Sequence, residues 1–177
     1  MVKNVRALFF DRDGVLIRGI NKNRKLYAVL KTKDLRFLPG AIKFLKKYKS
    51  KFKIIVVTNQ PDIANGKISN ETINEMNQKM MRLNLIDEIL ICPHSKNQKC
   101  SCRKPKIGLI KLAEKKYNLN LNKSFLFGDR KSDIDAGFKA GMKTIFIDRK
   151  YKEPKPNNQN FTIKSLKNAL KSGFKFI

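Results

Sequence analysis

All three cysteines and the only histidine of the chain fall within eleven positions, as Cys92-x-His94 and Cys100-x-Cys102. Three thiolates and one imidazole make a ligand set for a tetrahedral Zn²⁺ of the closed, structural kind. A disulfide would leave one cysteine and the histidine idle, and a thioredoxin-like redox site wants C-x-x-C rather than C-x-C. Buried or redox-active thiols remain the alternatives to zinc on spacing alone. A second group of chemistry-bearing residues lies near the start of the chain, where DRDG sets Asp11 and Asp13 two positions apart after an apolar run. In an extended segment both face the same way, and paired carboxylates repel unless a cation or a shared proton lies between them. Two turn-forming aspartates ahead of Gly14 would be the structural alternative.

Three further segments weigh against a simple turn. VVTNQ ends in hydroxyl and amide donors (Thr58, Asn59, Gln60), CRKP supplies Arg103 and Lys104, and GDRKSD supplies Asp129, Arg130 and Asp133. In order, the chain offers a pair of acids, neutral donors, two cations and another pair of acids. A divalent metal with a phosphate accounts for all four, since hard oxygen ligands suit Mg²⁺ and fixed donors suit phosphoryl oxygens.

These groups have to be positioned by the elements that precede them. The stretches 5–10, 53–58, 86–91, 124–128 and 143–147 are short, apolar on consecutive positions, and read as strands buried on both faces. Between them 39–50, 69–83, 107–118 and 132–141 carry apolar residues near a period of 3.6, and 161–174 reads as one last helix. Residues 17–36 read as polar and irregular, and 150–160 as a loop rich in Pro and Asn. Strands alternating with helices predict a Rossmann-like α/β fold, a parallel sheet with helices on both faces and the functional crevice at the carboxyl ends of its strands. With no internal repeat, residues 1–177 read as a single domain, with 92–102 as an inserted loop.

The length of 177 residues, with 41% hydrophobic content, suits one domain with a sizeable core. Lys and Arg number 40 against 14 Asp and Glu, a net charge of +26. Such a surplus concentrates polyanions of any kind, yet the lysines are spread along the whole chain. No aromatic-interleaved basic patch, recognition-helix signature or zinc-finger spacing accompanies them, so nucleic acid is expected to bind only nonspecifically. No apolar run approaches the ~18 residues of a membrane helix, and the N-terminus lacks secretory features. A cytoplasmic protein without disulfides follows as the expectation.

At this point the chain resembles the haloacid dehalogenase-like phosphatases, whose four motifs match DRDGV, Thr58 of VVTNQ, Lys104 of CRKP and GDRKSD in order. Within that superfamily it is similar to the D,D-heptose 1,7-bisphosphate phosphatases and their histidinol-phosphatase relatives, from about Val5 to Asp148. The resemblance implies that Asp11 is the nucleophile and Asp13 the acid and base. It implies catalytic Mg²⁺ on Asp11, Asp129 and the backbone carbonyl of Asp13, with Thr58 and Lys104 on the phosphoryl oxygens. Asp133 then orients Lys104 or a metal-bound water, and Asn59, Gln60, Arg103 and Arg130 are the candidate substrate contacts. Cys92, His94, Cys100 and Cys102 hold a structural Zn²⁺ that supports Lys104 without touching substrate. About 45 residues separate Asp13 from Thr58, too few for a cap domain, so a capless site is implied. The expected partner of a monomer is a small phosphorylated sugar, with histidinol phosphate or a nucleic-acid 3′-phosphate as alternatives, and a non-catalytic basic zinc protein as a further one. The chain departs from the heptose phosphatases at Pro61 and Asp62 and across 17–36, in loops that flank the leaving group.

Overall fold

A computed structural model describes residues 5–171. Its centre is β1 (Ala7–Phe10), buried along its whole length. On one side lie β4 (Lys53–Asn59) and then β5 (Glu88–Cys92). On the other lie β6 (Phe125–Gly128), β7 (Lys143–Ile147) and β8 (Phe161–Ile163). All neighbours in this sheet, ordered β5-β4-β1-β6-β7-β8, pair in parallel. From β1 the chain builds outward through β4 and β5, then returns to the other side of β1 with β6. That reversal is the topological switch point at which α/β sheets open a crevice.

The period-2 alternation of a buried strand divides the core into two layers. Leu8 and Phe10, Ile54 and Val56, and Phe125 and Phe127 face one side, where they meet α1 (Ala41–Tyr48), α3 (Asn70–Met81) and α6 (Leu166–Lys171). Ala7 and Phe9, Ile55 and Val57, and Leu126 face the other, against α4 (Gly108–Tyr117) and α5 (Lys131–Lys139). Helices thus cover both faces, the doubly covered α/β architecture expected from the sequence. An aromatic stack ties the first layer together: the Phe10 and Phe127 rings lie 4.7 Å apart, with Phe44 edge-on to both. Among the described residues no helix is long and apolar enough to cross a membrane.

The structure differs from the sequence reading in four places. The segment 161–174 is not one helix: 161–163 add a sixth strand, α6 begins only at Leu166, and residues 172–174 lie outside the described residues. Strand β5 starts at Glu88 rather than 86 and is only half-buried until Cys92, because it forms an edge of the sheet. Part of 17–36 is regular, an antiparallel hairpin of β2 (Ile20–Lys22) and β3 (Lys25–Tyr27). A short helix α2 (Pro61–Ala64) directly follows the donors of β4, with Pro61 at its start where a missing N–H costs nothing.

Candidate active site and metal-ligating cluster

Four strand ends converge at the switch point. Asp11 follows β1, and its N–H donates to Phe127 O at 2.9 Å, which extends the sheet pairing by one residue. Thr58 lies near the end of β4, Lys104 in the loop after β5, and Asp129 just after β6. All four are nearly inaccessible. Lys104 Nζ donates to Asp11 Oδ1 at 2.9 Å and to the Val57 carbonyl at 2.7 Å, and it meets Asp133 Oδ1 at 2.7 Å. Burial alone would lower its pKa, but the carboxylates of Asp11 and Asp133 hold it above the ordinary lysine range.

Asp11, Asp129 and Asp133 bring carboxylate oxygens within 4.8 Å of one another. Both oxygens of Asp129 are buried without a hydrogen-bond partner. Burial, then Asp11 and Asp133, push the Asp129 carboxyl well above the usual carboxylate range. Gly14 makes room for this carboxylate: its φ is +82°, and a Cβ there would lie 2.0 Å from Asp129 Oδ2. A crowded set of hard oxygens, those of Asp129 unpartnered, in a glycine-walled niche fits a divalent cation such as Mg²⁺. The side chain of Asp13 stands outside this set. Its Oδ2 accepts from Arg12 Nε at 3.0 Å and Gln60 Nε2 at 2.8 Å.

The remaining candidates are placed as follows. Asn59 clamps the backbone of Lys104, its Oδ1 accepting from Lys104 N–H at 3.0 Å and its Nδ2 donating to Lys104 O at 3.2 Å. Gln60 Nε2 also donates to Thr58 Oγ1 at 2.9 Å. Asp133 Oδ2 accepts from the Arg130 N–H at 3.1 Å, at the start of α5. Arg130 Nη2 donates to Leu26 O at 2.8 Å, bracing the hairpin beside the site. Sequence reasoning missed three contributors here. Arg12 is fully buried, Arg149 Nε donates to Gly14 O at 2.8 Å, and Tyr151 has its hydroxyl pushed up by burial and by the nearby Asp129 carboxylate. The signal for Arg12 was its place between the two aspartates; nothing in the sequence marked Arg149 or Tyr151.

A second cluster lies in the loop between β5 and α4. Cys92 Sγ is 3.6 Å from His94 Nδ1 and 3.9 Å from Cys100 Sγ, and His94 Nδ1 is 3.3 Å from Cys102 Sγ. Tetrahedral zinc with bonds of about 2.3 Å to sulfur and about 2.0 Å to nitrogen separates its ligands by roughly 3.5–3.8 Å, so the four atoms could hold it. Burial, then the Cys102 thiol, push Cys92 up to about 12, a cost that metal ligation reverses by taking the thiolate. Arg103 Nη1 donates to the His94 carbonyl at 2.9 Å, so the residue beside Lys104 is tied to this knot. Gly108 lets α4 approach it: a Cβ there would lie 2.5 Å from the Ser101 carbonyl.

Comparison with known proteins finds relatives along most of the chain. The family model described as polynucleotide kinase 3 phosphatase matches residues 6–177. The chain is 35% identical over 150 residues to the D-glycero-beta-D-manno-heptose-1,7-bisphosphate 7-phosphatase of Helicobacter pylori, covering 80% of this chain and 83% of the relative. It is 33% identical over 159 residues to the D-glycero-alpha-D-manno-heptose-1,7-bisphosphate 7-phosphatase of Photorhabdus laumondii, covering 81% and 82%. The D,D-heptose 1,7-bisphosphate phosphatase of B. bronchiseptica, solved with magnesium and phosphate, shares the fold at a TM-score of 0.80 and 24% identity, over 95% of this chain and 97% of that one. The ordered motifs, the sheet that gathers them and these relatives together place the chain in the heptose 1,7-bisphosphate phosphatase family, and it is a phosphoric monoester hydrolase.

Proposed function

We propose that this chain, acting as one domain, removes the 7-phosphate from a D-glycero-D-manno-heptose 1,7-bisphosphate through an aspartyl phosphate on Asp11. The observation that carries the chemistry is Lys104 Nζ held between Asp11 and Asp133, beside the two unpartnered oxygens of Asp129. The names of the relatives supply the substrate. A buried lysine orients Asp11 through Oδ1 while its second oxygen attacks phosphorus. As that bond forms and the ester P–O bond breaks, Asp13 gives a proton to the departing sugar oxygen. Asp13 then takes a proton from water as the water oxygen attacks phosphorus and the Asp11 oxygen leaves, giving orthophosphate. Thr58 donates to a phosphoryl oxygen, and Lys104, whose three N–H groups are shared among Asp11, the Val57 carbonyl and Asp133, does so by exchanging one of these contacts. Asp11, Asp129 and the backbone carbonyl of Asp13 would hold Mg²⁺, which would neutralise phosphate charge. A panel of both heptose 1,7-bisphosphate anomers, a hexose bisphosphate, histidinol phosphate and a 3′-phosphorylated oligonucleotide tests the substrate. We expect kcat/KM for one heptose anomer to lead the others by at least about tenfold. A lead for histidinol phosphate or the oligonucleotide would overturn the assignment.

We propose Cys92, His94, Cys100 and Cys102 as ligands of a structural Zn²⁺. The loop 93–101 buries no apolar side chain of its own, so a metal replaces the missing core. Protein purified under reducing conditions without chelator should contain about one equivalent of zinc by elemental analysis. Cys100→Ser should cost about tenfold in activity, since Lys104 loses its support. Zinc-free, fully active protein is the contrary result.

Arg103, held at the edge of the knot by His94 O, is proposed to meet the non-reacting phosphate or a sugar hydroxyl. Arg103→Ala should raise KM for the bisphosphate about thirtyfold, the loss of roughly 2 kcal/mol from a charged hydrogen bond. Its effect on 4-nitrophenyl phosphate should be far smaller. Equal damage to both substrates would confine the arginine to bracing the loop.

A further inference from the structure

Arg12 and Gln60 both bury polar groups that the catalytic scheme above leaves unused. Arg12 is completely inaccessible, yet only its Nε is engaged, with Nη1 and Nη2 buried and unpartnered. Gln60 is 1% exposed and spends both amide hydrogens, one on Asp13 Oδ2 and one on Thr58 Oγ1, leaving Oε1 unpartnered. Buried donors and acceptors without partners are costly, and a fully buried guanidinium needs an opposing charge. Among the described residues the one carboxylate Arg12 pairs with is Asp13.

A carboxylate oxygen has two lone-pair sites. Both sites on Asp13 Oδ2 are taken, by Arg12 Nε at 3.0 Å and Gln60 Nε2 at 2.8 Å. A proton placed on Oδ2 would face two N–H donors. On Oδ1, among the described residues, the hydrogen-bond partner is a long one, the Val29 N–H at 3.4 Å. We propose that Arg12 and Gln60 are positioning residues that lock Asp13 Oδ2 as an acceptor and so make Oδ1 the oxygen that exchanges the proton with the leaving group. Gln60 adds a second constraint. Because its amide donates to Thr58 Oγ1, the Thr58 hydroxyl hydrogen is turned away from Gln60 and left free for the phosphoryl contact proposed above.

The proton balance follows from this assignment. In the first half, Oδ1 loses its proton to the sugar oxygen as the ester P–O bond breaks and the bond from Asp11 forms. In the second half, Oδ1 recovers a proton from water as the aspartyl phosphate is cleaved.

The inference rests on Asp13 being the acid and base, and its test separates the two. The readout is kcat/KM, which reports steps up to departure of the leaving group, across substituted phenyl phosphates and a simple alkyl phosphate. Protonation matters little for a 4-nitrophenolate and greatly for an alkoxide. For Gln60→Leu and Arg12→Met, we expect losses of about threefold on 4-nitrophenyl phosphate and about a hundredfold on the alkyl ester, a steeper dependence on leaving-group basicity. Arg12→Lys, which keeps the charge but not the fork, should lie between wild type and Arg12→Met. If Arg12→Met does not fold, Gln60→Leu decides the matter. Asp13→Asn is measured alongside. A loss for Asp13→Asn that is the same for every leaving group would remove Asp13 from proton transfer and the proposal with it. A steep dependence for Asp13→Asn with a flat one for Gln60→Leu and Arg12→Met would overturn only the positioning role.

Discussion

Asp11→Asn should lower kcat on every phosphomonoester by at least about 10⁴-fold, equivalent to some 5 kcal/mol of barrier, while circular dichroism stays that of the wild type. A carboxamide is no nucleophile, so the covalent half of the reaction disappears. The fold has little reason to follow, because Asn is isosteric and Lys104 keeps its contacts with Asp133 and the Val57 carbonyl. Acid quenching of wild type during turnover should trap phosphate on the protein, and the variant should trap none. A folded Asp11→Asn protein that retains more than a few per cent of activity would exclude the covalent mechanism.

Asp129→Asn carries the second large effect, and it runs in opposite directions for activity and stability. The folded state raises the Asp129 carboxyl above its unfolded value through burial and through the charges of Asp11 and Asp133. A group raised in this way favours the folded state only when protonated. Above the unfolded carboxylate pKa of about 4, ionised Asp129 therefore weakens the fold, and the penalty is lifted as the pH drops or a cation binds. In buffer at pH 7 without added Mg²⁺, Asp129→Asn should thus melt a few degrees above wild type, at about 2–4 °C per kcal/mol for a chain of this size. Its Mg²⁺-dependent activity should fall about 10³-fold, and added Mg²⁺ should raise the melting temperature of wild type but not of the variant. A variant that melts below wild type in the absence of Mg²⁺ would mean that Asp129 is held by contacts rather than strained by repulsion.

The buried strands were legible because fully covered β-structure leaves unbroken apolar runs, such as VRALFF and KIIVVT, and the acids and donors stand directly after them. The Cys/His knot was legible because thiol and imidazole spacing survives without any helix or strand to carry it. What escaped has physical reasons. FTI at 161–163 is too short to show a period and runs straight into the apolar spacing of α6, so strand and helix merged into one helical pattern. The hairpin 20–27 is mostly exposed and polar, with Leu26 its one buried side chain, so no alternation marked it. Asn59 and Gln60 read as ligand donors because their chemistry suits phosphate. The fold also sets them on Lys104 and Asp13, contacts that only a three-dimensional arrangement reveals. Arg12 escaped because a guanidinium is expected at the surface.

The acid cluster of Asp11, Asp129 and Asp133 sits inside a protein whose net charge is +26, and that contrast governs traffic to the site. At long range the body attracts the bisphosphate anion proposed as substrate and repels the divalent cation proposed as its cofactor, so the two arrive under fields of opposite sign. Within a few ångströms of the carboxylates the sign inverts for the cation. Rising ionic strength, which shortens the reach of the outer field to about 8 Å under physiological conditions, slows capture of the anion and eases entry of the metal at once. The velocity of such an enzyme at limiting metal need not fall steadily with salt. It can pass through a maximum, set where faster metal loading is overtaken by slower substrate encounter.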